Sequence, residues 1–393
     1  MRKKIKRLAC LCLTAVFGAS LAASNLIAFA DDGAGSESVE RYSAANIENV
    51  TGKVNLSDIT LKNLNTSVIE NKDNYEVQDE IRTVIVTLDK KTVLDYMPDG
   101  ADVSEYLSSY SGKKAARAVN ETQTELLNAI HAKKIGYSLV YKYKTVTNAV
   151  AIKINTQYIS AIKSIPSVKS VVVSETYYAP EEVTAEDGAQ NNTLANVYKT
   201  GIYKSEKYVN EGLDGSGMTV AILDTGLDYT HNAFSTDRFT SSDIGMDKAY
   251  VEEKVNGAVT LNALTLSAAN GQTITADDLY ISEKVPFAYD YADKDADVYP
   301  SYSQHGTHVA GIVAGNDTEY KDKDGNPVYE NFYGVAPNAQ LVICKVFTDD
   351  FDSDDLGGAV AEDIVAALED CVNLGVDVIN MSLGTTAGFS TKY

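Results

Sequence analysis

Basic residues are scarce in this sequence: 34 Lys and Arg stand against 55 Asp and Glu, a formal net charge of −21. No basic stripe is available to displace counterions from phosphates, so nucleic acid is excluded as a partner. Cysteine is nearly as scarce. Of the four present, Cys10 and Cys12 fall in a leader that processing would remove. Cys344, in an apolar run, and Cys371, in a helical pattern, read as buried small residues rather than a disulfide framework or a zinc knuckle. Whether they meet in space is not legible from sequence. Beyond residue 30 no apolar run approaches the roughly 20 residues of a membrane span. What is present is ordinary core material: 44% hydrophobic residues in 393, enough for two or three domains.

Residues 1–30 differ from the rest. A basic head (MRKKIKR, 1–7), an apolar run over 8–23 and the small-x-small site Ala28-Phe29-Ala30 before Asp31 read as a secretory signal peptide. The mature product is therefore expected to be secreted or associated with the cell envelope. Residues 31–80 read as a polar linker. Order sharpens from Ile81. Residues 83–88 are strand-like, 122–133 form an amphipathic helical pattern, 139–154 read as strand, turn and strand, 158–165 as a short helix before Pro166, and 168–173 as a strand. This β-α-β-β-α-β order is the plan of a small ferredoxin-like α+β domain, spanning 81–178. By itself that plan carries no function. A second linker, 179–195, is rich in Glu, Ala and Asn and is the expected processing region.

From residue 196 the pattern changes. A continuous apolar run over 218–223 ends in Asp224-Thr225-Gly226, as a parallel strand covered on both faces would. The runs 340–347 and 376–381 read as further strands, with an amphipathic helix within 356–374 whose Ile364, Ala367 and Leu368 share a face. Alternating strands and helices predict an α/β domain with a doubly wound, mostly parallel sheet over 196–393. Ligands bind at the carboxyl ends of such strands, which puts Asp224 and Ser382 near one site. An aspartic-protease reading of Asp224-Thr225-Gly226 requires a second copy and an all-β pattern, and neither is present. The stretch 235–284 reads as an insert, polar with short apolar pieces.

The segment 304–315 (QHGTHVAGIVAG) has helical spacing and begins on His305. An imidazole fixed at a glycine-rich helix start is a candidate proton carrier. His305 and His308 do not read as zinc ligands, since a metalloprotease helix spaces its histidines by four with a glutamate between, and Gly306 and Thr307 stand here instead. The acidic loop 293–297 lacks the glycine and terminal glutamate of a known calcium loop and reads as a solvated turn, as do 322–326, read as a hairpin tip, and 349–355. No cofactor is required, and calcium is the one ion these loops leave open.

Three segments, 220–226 (VAILDTG), 305–311 (HGTHVAG) and 378–384 (VINMSLG), resemble in order the N-terminal signatures of subtilisin-like serine proteases, with 334–337 (GVAP) similar to the family's connector. The 81–178 domain resembles the family's propeptide, and 285–289 (VPFAY) resembles the lactocepin-type cell-envelope proteinases. The resemblance implies an endopeptidase acting on proteins or peptides, with Asp224 orienting His305, His305 as general base and acid, and His308 in a supporting place on the helix. Ser382, Leu383 and Gly384 are implied to form a strand edge that pairs with extended substrate. Ser382 is not implied as nucleophile, because Asn380 occupies the first glycine position of a nucleophile elbow. The propeptide is implied to act as an intramolecular inhibitor and folding aid. Nothing after Gly384 resembles the family's oxyanion asparagine or its serine helix. The expectation is an N-terminal fragment, inactive as given, or alternatively a truncated non-catalytic product acting as an inhibitor or chaperone.

Overall fold

The computed structural model describes residues 80–179, 213–237, 239–257, 259–321, 327–350 and 357–384. The expected signal peptide, nearly all of both linkers and most of the acidic stretches 322–326 and 349–355 lie outside the described residues.

The N-terminal unit follows the expected order. Strand β1 (Ile81–Leu88) leads through helix α1 (Val103–Ser108) into helix α2 (Tyr110–Ala132). Strands β2 (Ser138–Tyr143) and β3 (Ala149–Asn155), helix α3 (Ile159–Lys163) and strand β4 (Val168–Val173) complete it. The four strands pair antiparallel in the order β2-β3-β1-β4. Helix α2 begins twelve residues before the start expected at 122, because Ser109 caps it by accepting from Gly112 N (3.1 Å) and its first half buries only Gly112, Ala115 and Val119. A run with one small apolar residue per turn is a weak periodic signal.

The alternation along β1 sends its side chains to two different cores. Val84, Val86 and Leu88 pack under α2 and α3 with Leu126, Ile130, Ile152 and Ile162. Ile85, with Tyr141, Tyr143, Ala149 and Ala151 of the neighbouring strands, faces the other way and joins the core of the C-terminal unit. Both faces of this small sheet are therefore covered.

A short strand β5 (Thr176–Tyr177) leaves the N-terminal unit. The C-terminal unit opens with β6 (Thr219–Asp224), followed by helices α4 (Lys248–Val255), α5 (Asn262–Ala269) and α6 (Ala276–Leu279) and strand β7 (Phe287–Asp290). Helix α7 (His305–Ala314), the hairpin β8 (Asn316–Lys321) and β9 (Pro327–Tyr333), and β10 (Gln340–Lys345) come next. The chain then runs through β11 (Ala359–Val360), helix α8 (Ala361–Leu374) and β12 (Val378–Met381). Strands β12, β6, β10 and β7 form one wholly parallel sheet in that order. The insert thus holds three short helices where the sequence shows no period long enough to assign one.

Helix α8 departs most from a surface amphipathic helix. Ile364, Leu368 and Cys371 join the C-terminal core, and Cys371 Sγ lies 3.8 Å from Cys344 Sγ with both thiols free. The opposite, polar face is buried as well, because the N-terminal sheet lies on it. Tyr141 OH donates to Asp363, Tyr143 OH to Glu362 O (2.8 Å), and Thr145 Oγ1 to Asn373 Oδ1 (2.8 Å). Glu369 accepts from Lys144 N (2.8 Å), Val146 N (2.8 Å) and Thr147 N (3.2 Å).

Candidate active site

Strand β6 is buried along its whole length and flanked by parallel partners on both sides, so its last residue, the charged Asp224, emerges where the sheet ends. The chain turns there through Gly226 at φ +108°. A side chain at Gly226 would meet Val298 O at 2.3 Å, so both the turn and the space demand glycine. Helix α7 then meets this strand end through Gly306, where a Cβ would lie 2.3 Å from Gly226 O and 3.1 Å from the Asp224 Cβ. That close approach sets His305 against Asp224, with Nδ1 2.8 Å from Oδ1. Asp224 Oδ1 also accepts from Thr225 N at 2.7 Å. The carboxylate is 1% exposed and the imidazole 15%, so the acid lies beneath and the ring opens to solvent. Burial pushes the Asp224 carboxyl up, against the pull of the hydrogen bonds from His305 and Thr225.

Three hydroxyls absent from the sequence-level site pin the helix start to the turn. Thr225 Oγ1 accepts from Gly306 N (2.9 Å) and donates to Ser303 O (3.0 Å). Ser303 Oγ accepts from His305 N (3.2 Å), and Thr307 Oγ1 accepts from Asp228 N (2.9 Å). The expected supporting place of His308 needs correction. It is exposed, because α7 buries Gly306, Ala310 and Ala314, and a residue midway between the first two points the other way.

Beside Asp224 at the sheet's carboxyl end, fully buried Lys345 reaches Asp290, Asp293 (3.1 Å) and Asp349 (3.4 Å). Burial draws its ammonium down, but these carboxylates outweigh that and raise it. Thr348 Oγ1 and Asp349 N donate to Asp293 as well (2.7 and 3.3 Å), so one of the acidic turns is tied down by a lysine rather than free in solvent. Among the described residues no group of three or more His, Cys, Asp or Glu is arranged to hold a metal ion.

Of the three residues expected on a strand edge, Gly384 makes the pairing. Tyr178 N donates to Gly384 O (2.8 Å) and Gly384 N to Tyr178 O (3.0 Å), antiparallel. Leu383 packs against the main core and Ser382 Oγ donates to Asn380 Oδ1 (3.0 Å). On its other side the same outgoing segment pairs antiparallel with β11, Tyr177 with Ala359 and Thr176 with Val360. Residues 176–178 therefore lie as a middle strand between two edges. The β11 edge was not legible in the sequence, since two residues give no alternation to detect.

Comparison with known proteins assigns each of the two units to a family. A subtilase family model matches residues 215–393, and a peptidase inhibitor I9 model matches residues 83–180. The chain is similar to the PII-type proteinase of Lacticaseibacillus paracasei, 33% identical over 253 residues that make up 63% of this chain and 11% of that protein. It is also similar to the C5a peptidase of Streptococcus pyogenes serotype M3, 32% identical over 44% of this chain and 12% of that protein. The crystal structure of fervidolysin from Fervidobacterium pennivorans covers 78% of this chain, with 36% of its own chain matched, at a TM-score of 0.39 and 15% identity. The chain thus spans about a tenth of the length of the curated proteinase it matches. With the two family matches falling on the two halves of the fold, the chain belongs to the subtilase family and carries a peptidase inhibitor I9 domain ahead of its peptidase domain.

Proposed function

We propose that Asp224 and His305 supply the orienting carboxylate and the general base and acid of a secreted serine endopeptidase, made as a precursor whose I9 domain occupies the substrate cleft. The observation that carries the proposal is the 2.8 Å contact between His305 Nδ1 and buried Asp224 at the carboxyl end of a parallel sheet. With Nδ1–H held by the carboxylate, Nε2 is left as the base that takes a proton from a serine hydroxyl as it attacks a peptide carbonyl. The proton passes to the departing amine, and water reverses the sequence on the acyl-enzyme. No residue of 1–393 is assigned as that serine or as an oxyanion donor, so the proposed activity belongs to the full-length protein. An extended peptide would take the middle-strand place between β11 and residues 382–384 that residues 176–178 hold. The signal peptide and extracellular destination are part of the same proposal; among the described residues no helix is long and apolar enough to cross a membrane.

The test is reaction of processed full-length protein with a fluorophosphonate probe. One serine is expected to be labelled, blocked by prior addition of the I9 domain's cleft segment as a peptide. Processed protein that stays unlabelled would refute the proposal. Gly306→Ala gives a second, geometric test. Its methyl cannot fit 2.3 Å from a backbone carbonyl, so the helix start shifts, and a displacement of this size is expected to cost about 10²-fold in kcat. Unchanged kcat would show that the close approach does not matter.

The buried carboxyls under the I9 domain make its docking pH-dependent. Asp363 is pushed up to about 8, first by burial and further by Glu362 and Asp290, while Lys294 and the Tyr141 hydroxyl pull it down. Facing it from the I9 sheet are Tyr141, Tyr143 and Ser174, the last donating to Glu362. Undocked, this carboxyl would titrate near the ordinary value of about 4. Docking therefore takes up a proton: it is strongest below about pH 4, weakens by up to roughly tenfold per pH unit as pH rises toward the docked value, and levels off above it. Retention of the I9 domain on processed protein should be greater at pH 5 than at pH 8, and Asp363→Asn should flatten the slope. Equal retention at both pH values in the wild type would contradict this.

A further inference from the structure

Among the described residues the side-chain hydrogen bonds of Asp224 and His305 go to Thr225 and each other and not to the insert, yet the insert buries a charge against the I9 domain. Lys254 of α4 is 6% exposed. Its Nζ donates to Ser104 Oγ (2.6 Å), Ser108 Oγ (3.2 Å) and Ser104 O (3.4 Å), all on α1 of the I9 domain. Its ammonium also lies 5.0 Å from the Tyr250 ring centroid, and Tyr250 OH shares a 2.9 Å hydrogen bond with Ser104 Oγ while donating to Leu374 O (2.9 Å). One turn further along the insert, Val259 enters an apolar cluster otherwise made of I9 residues, among them Val93, Met97, Tyr106, Leu107 and Val119. Apart from the Tyr250 bond to Leu374 O at the C-terminal end of α8, none of these contacts involves α8 or the segment 176–178.

We propose that the 235–284 insert is a second docking surface for the I9 domain, one that grips α1 and slows the domain's release from the peptidase. The inference rests on the proposed precursor reading, and the physical reason is local. Helix α1 has six residues and too few hydrogen bonds to persist without packing. Three of the oxygens that satisfy Lys254 are offered by that helix, so helix and ammonium each need the other: if α1 frays, a buried lysine loses its acceptors, and if Lys254 is removed, α1 loses its anchor. A peptidase domain without this insert offers only the α8 face and the cleft edges, so this I9 domain should be held longer by its own peptidase than the cleft contacts alone allow.

The experiment compares full-length precursor carrying Lys254→Met or Ser104→Ala with wild type, and with Lys248→Ala as control, since exposed Lys248 on the same helix pairs with Asp277 of the insert itself (2.5 Å). Amide hydrogen exchange at 103–108 in the intact precursor, and the time for which the I9 domain stays bound after processing, are both measured. Exchange is expected to be roughly tenfold faster and retention roughly tenfold shorter in both test variants, the effect of losing hydrogen bonds to a buried charge. Lys248→Ala should match wild type, and peptidase activity after release should be the same in all. Should Lys254→Met be recovered unfolded, Ser104→Ala decides, because it leaves the peptidase domain's sequence unaltered. Wild-type exchange and retention in Ser104→Ala and in folded Lys254→Met overturn the inference. A precursor that shows these shifts but never becomes an active peptidase would instead refute the proposed function and leave the docking surface standing.

Discussion

Replacing His305 with Ala in the full-length protein is expected to lower kcat/KM by about 10⁴-fold or more, the general magnitude for loss of a triad base. The expectation follows from geometry rather than from the motif alone: Asp224 is 1% exposed and holds Nδ1, so Nε2 is the ring nitrogen left for chemistry. Asp224→Asn should be nearly as damaging. An asparagine can present its amide N–H toward Nδ1, which favours the tautomer whose Nε2 carries the proton and cannot act as base. Binding of a peptide along β11 and 382–384 should survive both substitutions, so KM is expected to change far less than kcat. Substantial residual turnover in His305→Ala, measured with an oligopeptide substrate on processed enzyme, would remove His305 from the mechanism.

Glu369→Ala should have the largest effect on inhibition. Its carboxylate is 2% exposed and accepts three backbone N–H groups from the β2–β3 turn of the I9 domain. Burial pushes this carboxyl up while those donors pull it back, so the carboxylate is usable only because the turn presents its amides together. With alanine the three donors are stranded under the sheet, which weakens docking by about 3–5 kcal/mol. That corresponds to roughly 10²- to 10⁴-fold in the dissociation constant. In the released peptidase Glu369 would face water, so its thermal stability should change little. Early loss of the I9 domain with unaltered stability of the free enzyme is the expected pair of results, and wild-type retention on size exclusion would refute it.

Much of the site was legible because its determinants are local. An apolar run ending in Asp224-Thr225-Gly226 encodes a buried strand with a polar end, and Gln304 followed by His305-Gly306 encodes a helix start that another segment can approach. The order of β-α-β-β-α-β in the I9 domain came from alternation and helical period in the same way, and the sheet order followed it. Elements defined by short or featureless runs were not legible. β11 has two residues, the insert helices have eight, eight and four, and none of these lengths gives a period that stands out.

Polar partners show the same division. Asp370 accepts from Asn262 N (2.7 Å), Ala263 N (2.9 Å) and Tyr291 OH (2.9 Å), and so caps helix α5, whose own N-cap residue Leu261 has no side-chain acceptor. Nothing near Leu261 in sequence announces a helix there. Nothing adjacent in sequence marks Lys345 or Lys254 as buried charges; strands and helices from elsewhere bring the oxygens that satisfy them.

The sequence by itself determined the two-part architecture, the strand that presents Asp224 and the helix that begins on His305, because each depends on backbone periods and turn chemistry within about ten residues. Only the tertiary structure decided that α8 is buried on both faces, that His308 points outward, that residues 176–178 lie between β11 and Gly384, and that the insert grips α1. Each of those depends on which polar groups find partners across the fold, and a buried charge or a strand edge carries no mark in the chain of the distant group that will satisfy it.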